Sequence, residues 1–203
     1  MVTIFENIFS KKPIYIDVDK ALERIKIGKS QDRVNEVRAV LDKGRANELK
    51  KNLPSICFSG TFKNDRKNDD LIEHSNYLIL DFDSVTDCVA KRTELSTLEY
   101  VKASWISPSG NGVKCLVLIS DGSKHRQHFD ALKEIFPDVD NSGVNEARVC
   151  YESYDPDIII KQMVKPFTKV KVSYQAIEKT HLEANSDVFK NILKWLSNKG
   201  NAV

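Results

Sequence analysis

The sequence predicts a sheet domain of the α/β or α+β class, on three observations. Short apolar runs with β character recur from residue 54 onward, separated by turn-forming residues. Helical patterns stand between some of them, and strands interleaved with helices make a layered sheet fold. A chain of 203 residues, 41% hydrophobic and 30% charged, can bury one sizeable core or at most two small ones.

In chain order, residues 2–16 alternate loosely and read as extended. Asp17 or Asp19 then caps a helix running through Ala21, Leu22 and Ile25. A second helix has Ser30 as N-cap, an apolar stripe of Val34, Val37, Val40 and Leu41, and Gly44 as its C-terminal stop. A shorter helix through Leu49 ends near Pro54, so residues 18–52 form a helical cover over the downstream strands. Strands are expected at 55–62, 77–82, 100–106, 113–119, 147–153 and 167–174, with helices at 86–98 and 124–136. No repeat or Pro/Gly-rich linker divides this stretch. Residues 175–186 are polar enough to be a tether, and 188–196 read as a short amphipathic helix.

Lys and Arg number 31 against 29 Asp and Glu, a net charge of +2. That excludes a histone-like electrostatic coat, so any DNA contact has to be local. Apolar runs such as 77–80 fall far short of the roughly 20 residues that cross a bilayer, and the N-terminus lacks a basic signal-peptide region. The expectation is a cytoplasmic protein without a membrane partner. Four cysteines form no C-x-x-C pair, which signals neither a zinc knuckle nor a disulfide framework. Cys57, Cys115 and Cys150 lie in strand-like runs and read as buried thiols. His125 and His128 have the i, i+3 spacing of a helical metal pair, but no Cys, Asp or Glu around them completes an obvious set.

Three segments carry candidate chemistry. Residues 77–83 read Tyr-Leu-Ile-Leu-Asp-Phe-Asp, and strand alternation puts Asp81 and Asp83 on one face, roughly 7 Å apart at Cα, with Leu78, Leu80 and Phe82 on the other. Paired carboxylates at the end of a buried strand are costly unless neutralised, and hard Mg²⁺ or Mn²⁺ neutralises them. The alternative is that the strand has ended and both belong to a solvated turn. Residues 105–114 read Trp-Ile-Ser-Pro-Ser-Gly-Asn-Gly-Val-Lys, a hairpin signature. Its small residues would let backbone N–H groups and the hydroxyls of Ser107 and Ser109 approach a phosphate, with Lys114 supplying charge. Third, Asp138 and Asp140 precede a polar turn and Arg148 opens an apolar strand, which makes either a further metal ligand with a triphosphate clamp or a loop with a surface ion pair.

In combination, a strand ending in D-x-D, an S-x-S-G-x-G-x-K hairpin and an acidic turn leading to Arg resemble the three motifs of the archaeo-eukaryotic primase superfamily. More closely, they look like its primase-like branch with the VirE N-terminal domain, found in Bacteroidetes and their mobile elements. The similarity extends through residues 53–62, Arg66 and Ser153-Tyr154-Asp155-Pro156, covering roughly residues 45–160. It implies an α+β fold, an RRM-like palm sheet joined to a smaller α/β unit, with nucleotide and metal bound where the two meet. Carried over by residue, Asp81, Asp83 and Asp140 would be the catalytic metal ligands. Ser107, Ser109 and Gly110 would form the phosphate loop, with Lys114 and Arg148 as phosphate-binding cations. Many members end the second motif in histidine; Lys114 keeps the cation but loses titration near neutrality.

The resemblance implies a catalytic domain over 1–174 and, in 175–203, a tether and the start of a helical region leading toward a helicase module. The chain then reads as the front end of a longer replication protein. The expected function is a metal-dependent nucleotidyltransferase, a DNA primase or primase-polymerase making primers on single-stranded DNA for a mobile element or phage. Its expected cofactor is Mg²⁺ or Mn²⁺, and its partners are nucleoside triphosphates, a single-stranded DNA template and a downstream helicase domain. The competing expectation is a catalytically inactive nucleic-acid-binding module using the same sheet. A metal nuclease of the D…(D/E)-x-K kind is disfavoured because Gly112 stands two before Lys114.

Overall fold

The structure, a computed structural model, describes residues 1–171 and Lys190. The chain divides into two units, Met1–Val170 and Lys171–Val203. The expected tether at 175–186 lies outside the described residues, as does the helix at 188–196 apart from Lys190.

Met1–Val170 is a mixed α+β unit. It begins with strands β1 (Val2–Phe5) and β2 (Ile14–Ile16) and the helical cover α1 (Val18–Lys26), α2 (Gln31–Ala39) and α3 (Lys43–Lys50). Strands β3 (Ser55–Cys57), β4 (Gly60–Phe62), β5 (Leu71–His74) and β6 (Tyr77–Phe82) come next. The chain continues through α4 (Cys88–Ser96), β7 (Val101–Ile106), β8 (Val113–Leu118), α5 (His125–Ile135), β9 (Cys150–Tyr151) and β10 (Ile159–Ile160). Two antiparallel sheets, ordered β2-β1-β3-β9 and β10-β7-β8-β6, are accompanied by the β4–β5 hairpin.

The second sheet has its two faces buried differently. Leu78, Leu80 and Phe82 of β6 pack with Val113, Cys115 and Val117 of β8 against Leu95 of α4 and Phe129 and Leu132 of α5. On the other face Ile79, Trp105 and Leu116 meet Val2, Ile4 and Ile56 of the first sheet and Leu22 and Ile25 of α1. Alternation along β6 therefore sends every second side chain toward the inter-sheet layer. The β6-α4-β7-β8-α5 chain order and the β6-β8-β7 strand order match three strands of the RRM-like sheet that the resemblance implies, while the fourth strand of this sheet, β10, pairs with β7 and not with β6. The outer edge of β6 is covered by the 3-10 turn Asn141–Val144: the Asp140 N–H donates to the Asp81 carbonyl at 2.8 Å. Gly143 is required there, since a Cβ would stand 2.7 Å from the Ile79 carbonyl oxygen.

Several local expectations are corrected. The run 55–62 is not one strand: the chain turns at Phe58-Ser59, and β3 and β4 belong to different sheets. Gly44 does not stop α2. Val40 is already extended, Asp42 caps α3 by accepting from the Arg45 N–H at 2.7 Å, and Gly44 sits in the first turn of that helix. Leu41 thus leaves the apolar stripe and is 98% exposed. Ser30 occupies the N-cap position but donates its hydroxyl to buried Glu152, which also accepts from Arg24 at 2.6 Å, tying α1 and α2 to the segment after β9. Of the strand expected at 167–174, only a bridge between Ile119 and Phe167 is seen among the described residues. No helix among the described residues is long and apolar enough to cross a membrane.

Candidate functional site

Asp81 points with Ile79 into the layer between the sheets and is 5% exposed. The β6–β8 register sets it opposite Lys114, and the Lys114 ammonium, itself buried, pairs with Asp81 Oδ2. Arg148 Nη2 reaches the same oxygen at 3.2 Å. Asp81 Oδ1 is buried with no hydrogen-bond partner among the described residues. A carboxylate oxygen left in that condition is costly, so it marks a place for a cation or a bound donor.

The D-x-D pair is divided by the end of its strand. β6 stops at Phe82, and Asp83 is exposed beyond it, followed by Ser84 at φ 55°. Both carboxylates nevertheless line one cleft of about 290 Å³. The β7–β8 loop forms another wall. Gly112 lets it close on β6, because a Cβ there would lie 2.6 Å from the Phe82 carbonyl oxygen. The hydroxyls of Ser107 and Ser109 stand 3.2 Å apart, and the Gly110 N–H donates to the Ser107 carbonyl at 3.0 Å.

This loop is held from behind by residues whose role the sequence did not reveal. Arg38 of α2 donates to the Ser107 carbonyl at 3.2 Å and the Tyr154 carbonyl at 2.8 Å. Ser153 donates to the Ile106 carbonyl at 2.7 Å, and buried Asp155 accepts from the Ile106 N–H at 2.8 Å while pairing with buried Arg92 of α4 at 2.8 Å.

Of the eight residues singled out from sequence, Asp81, Asp83, Ser107, Ser109, Lys114 and Arg148 meet in the cleft. Gly110 shapes the loop from outside the lining. Asp140 is adjacent, 3.8 Å from Arg148, but its Oδ1 accepts from the N–H and hydroxyl of Ser142. Those bonds hold its carboxyl below the usual aspartate value, and through Oδ1 they cap the turn. Two residues of α3 join the lining unannounced, Asn47 and Lys50. Lys50 donates to Asn47 Oδ1 at 3.3 Å; burial first, then the neighbouring Lys114, press its pKa below the ordinary lysine value against the pull of Asp83 and Asp81. Their i, i+3 spacing on a largely polar helix was the available signal, and it reads equally well as a solvated face.

Asp81 and Asp83 suit a divalent ion of a particular kind. No group of three or more His, Cys, Asp or Glu side chains placed to hold a metal occurs among the described residues, which argues against an all-protein cage. Mg²⁺ is commonly held by one or two carboxylates together with waters and substrate phosphates. An unpartnered buried Oδ1 and an exposed second carboxylate, in a cleft lined by three cations, match that donor set.

The model of one protein family, described as BT4734-like, N-terminal domain, matches residues 48–159. That span holds all eight sequence-predicted residues and Lys50; α1 and α2 precede it. Neither the curated proteins nor the solved structures contain a match.

Proposed function

This chain belongs to the BT4734-like N-terminal domain family, and from that footing we propose that it is a metal-dependent nucleotidyltransferase, a DNA primase or primase-polymerase that makes primers on single-stranded DNA for a mobile element or phage. The observation that carries the reading is the cleft in which buried Asp81, with its unpartnered Oδ1, lies beside Asp83, Lys50, Lys114 and Arg148. Two carboxylates among three cations suit a polyanion that arrives with a cation. Lys50 and Lys114 bind the phosphates as point charges, and Arg148 binds them as a fork. The Ser107 and Ser109 hydroxyls donate to phosphate oxygens, and the loop fixed by Arg38 and Asp155 keeps them in place, so that the reacting phosphorus is positioned. Asp81 and Asp83 are the residues that would hold Mg²⁺ or Mn²⁺, which when bound neutralises the triphosphate and lowers the cost of the attacking 3′-oxygen. The proposed partners are nucleoside triphosphates, the single-stranded template and a helicase module in a longer protein, and the proposed compartment is the cytoplasm.

Primer synthesis on single-stranded DNA, supplied with each nucleotide set and with Mg²⁺ or Mn²⁺, tests the proposal. Asp83→Ala should reduce incorporation at least a hundredfold while leaving the fold unchanged, an order-of-magnitude loss of about 3 kcal/mol in transition-state stabilisation. Incorporation by that variant at the wild-type rate would overturn the assignment. A second reading, the inactive nucleic-acid-binding module, is favoured by one feature: Asp81 Oδ2 is already neutralised by Lys114 and Arg148. It expects DNA binding indifferent to metal and nucleotide, whereas the enzyme expects nucleotide binding that strengthens with Mn²⁺.

A further inference from the structure

A second cavity, of about 390 Å³, adjoins the phosphate cleft and shares Asn47, Lys50, Asp83 and Ser109 with it. The two differ in what lies beyond that shared border. The first continues to Lys114, Arg148 and Tyr151, and the second to Arg38, Lys43 and an aliphatic group of Val37, Val40, Leu41 and Ala46, contributed by α2, α3 and their connection. Leu41 is 98% exposed, an aliphatic side chain at the wall of a cavity with nothing packed on it. Asn111, from the β7–β8 loop, adds an amide to the lining.

We propose that this second cavity receives the base and sugar of the nucleotide whose phosphates occupy the first. The inference rests on the triphosphate reading of the cleft and adds the location and character of the nucleoside subsite. A nucleotide is polyanionic at one end and flat and weakly polar at the other, and of the joined cavities, both of them largely polar, the second has the larger aliphatic share. Its lining is mainly polar, with the aliphatic side chains of Val37, Val40, Leu41 and Ala46 gathered on the α2–α3 side to cover a base, and its size is in the ordinary range for a small-molecule pocket. The wall is also fixed relative to the phosphate loop. Arg38, which lines the second cavity, spends its Nη2 on the Ser107 and Tyr154 carbonyls, so α2 and the loop hold one register. No aromatic ring lines this cavity among the described residues, so the base is gripped by aliphatic contact and not by ring stacking. Aliphatic contact does not distinguish bases by edge pattern, which suits an enzyme whose template chooses the base.

The experiment measures binding of two probes, ATP and inorganic triphosphate, to the full 203-residue chain by calorimetry with Mn²⁺ present, for the wild type and Leu41→Ser. Because Leu41 is so exposed, the substitution leaves the fold intact. ATP should bind the wild type roughly tenfold more tightly than inorganic triphosphate, the effect of covering one aliphatic side chain, and Leu41→Ser should remove most of that margin without changing triphosphate affinity. GTP, CTP and UTP should bind within a few-fold of ATP. Equal affinity of the wild type for both probes, or ATP affinity unchanged in Leu41→Ser, overturns the nucleoside subsite and leaves the phosphate cleft standing. Binding of neither probe overturns the triphosphate reading itself, and the subsite with it.

Discussion

Asp81 has two duties that pull in different directions. It is a candidate ligand through Oδ1 and a structural counterion through Oδ2, where Lys114 and Arg148 converge. Removing it as Asp81→Ala strands the Lys114 ammonium, whose side chain is only 8% exposed. Breaking a buried pair on one side costs on the order of 3–5 kcal/mol, so Asp81→Ala should unfold at a clearly lower denaturant concentration than wild type. Asp83→Ala, at an exposed position beyond the strand, should shift stability by no more than about 0.5 kcal/mol. Equilibrium unfolding of the two variants side by side checks the contrast, and equal midpoints would show that Asp81 is not the structural partner of Lys114. The sequence exposed the D-x-D motif through its alternation, but it could not show that Lys114 faces Asp81. That depends on the β6–β8 register, which joins segments more than thirty residues apart.

Among the elements, the β7–β8 loop is the one whose position decides whether the cleft exists. It is fastened through Asp155, which accepts from the Ile106 N–H and pairs with Arg92, both partners of that ion pair being almost fully buried. Asp155→Ala should therefore destabilise the fold by about 3–5 kcal/mol, and the loosened loop should weaken triphosphate binding even though Asp155 does not line the cleft. Thermal melting and triphosphate titration of this variant test both halves; unchanged affinity would show that the loop holds its shape without Asp155. Strands β6, β7 and β8 were legible to within a residue because their apolar runs are long and bounded by turn residues. β5 and β10 were not. β5 has two exposed residues in its four and β10 is two residues long, so neither leaves a periodicity to read. Gly44 misled for a related reason: glycine marks a turn region, while the cap supplied by Asp42 decides which side of it the helix lies on.

At the scale of the molecule, a histidine chain joins three parts of the fold. The Asn76 N–H donates to His74 Nδ1 at 2.9 Å, His74 Nε2 lies 3.0 Å from His125 Nδ1, and His125 Nε2 lies 3.0 Å from the Gly143 carbonyl oxygen. Only neutral rings satisfy every link, with each Nε2 carrying the proton. The chain ties β5 and α5 to the turn that covers the β6 edge beside Asp81. Burial, then His125, lowers the His74 pKa from 6.5 to about 4, with Glu146 and Asp121 opposing and His128 reinforcing. Burial lowers His125 as well, opposed by its Gly143 bond and Glu146 and reinforced by His128 and Arg126. The unfolded chain takes up these protons as pH falls below 6.5, and folded His74 does so only near 4. Stability should therefore be full at neutral pH and be lost progressively between those values. Urea midpoints at pH 7.5 and pH 5 test this: the wild type should drop, and His74→Leu should drop less. An equal fall in both would place the acid sensitivity elsewhere.

By itself the sequence determined a layered sheet fold of the α/β or α+β class, the strands β6, β7 and β8 that carry the first two motifs, and the identity of six side chains that meet in the cleft, because local alternation and turn chemistry act over a few residues. The tertiary structure alone decided that Lys114 neutralises Asp81, that Asp140 caps a turn beside the cleft, that Lys50 and Asn47 line it, and that α2 and α3 supply the aliphatic side of a second chamber. Those outcomes depend on strand register and on helices folded back over the sheet. Such long-range packing leaves no periodic trace in the residues it brings together.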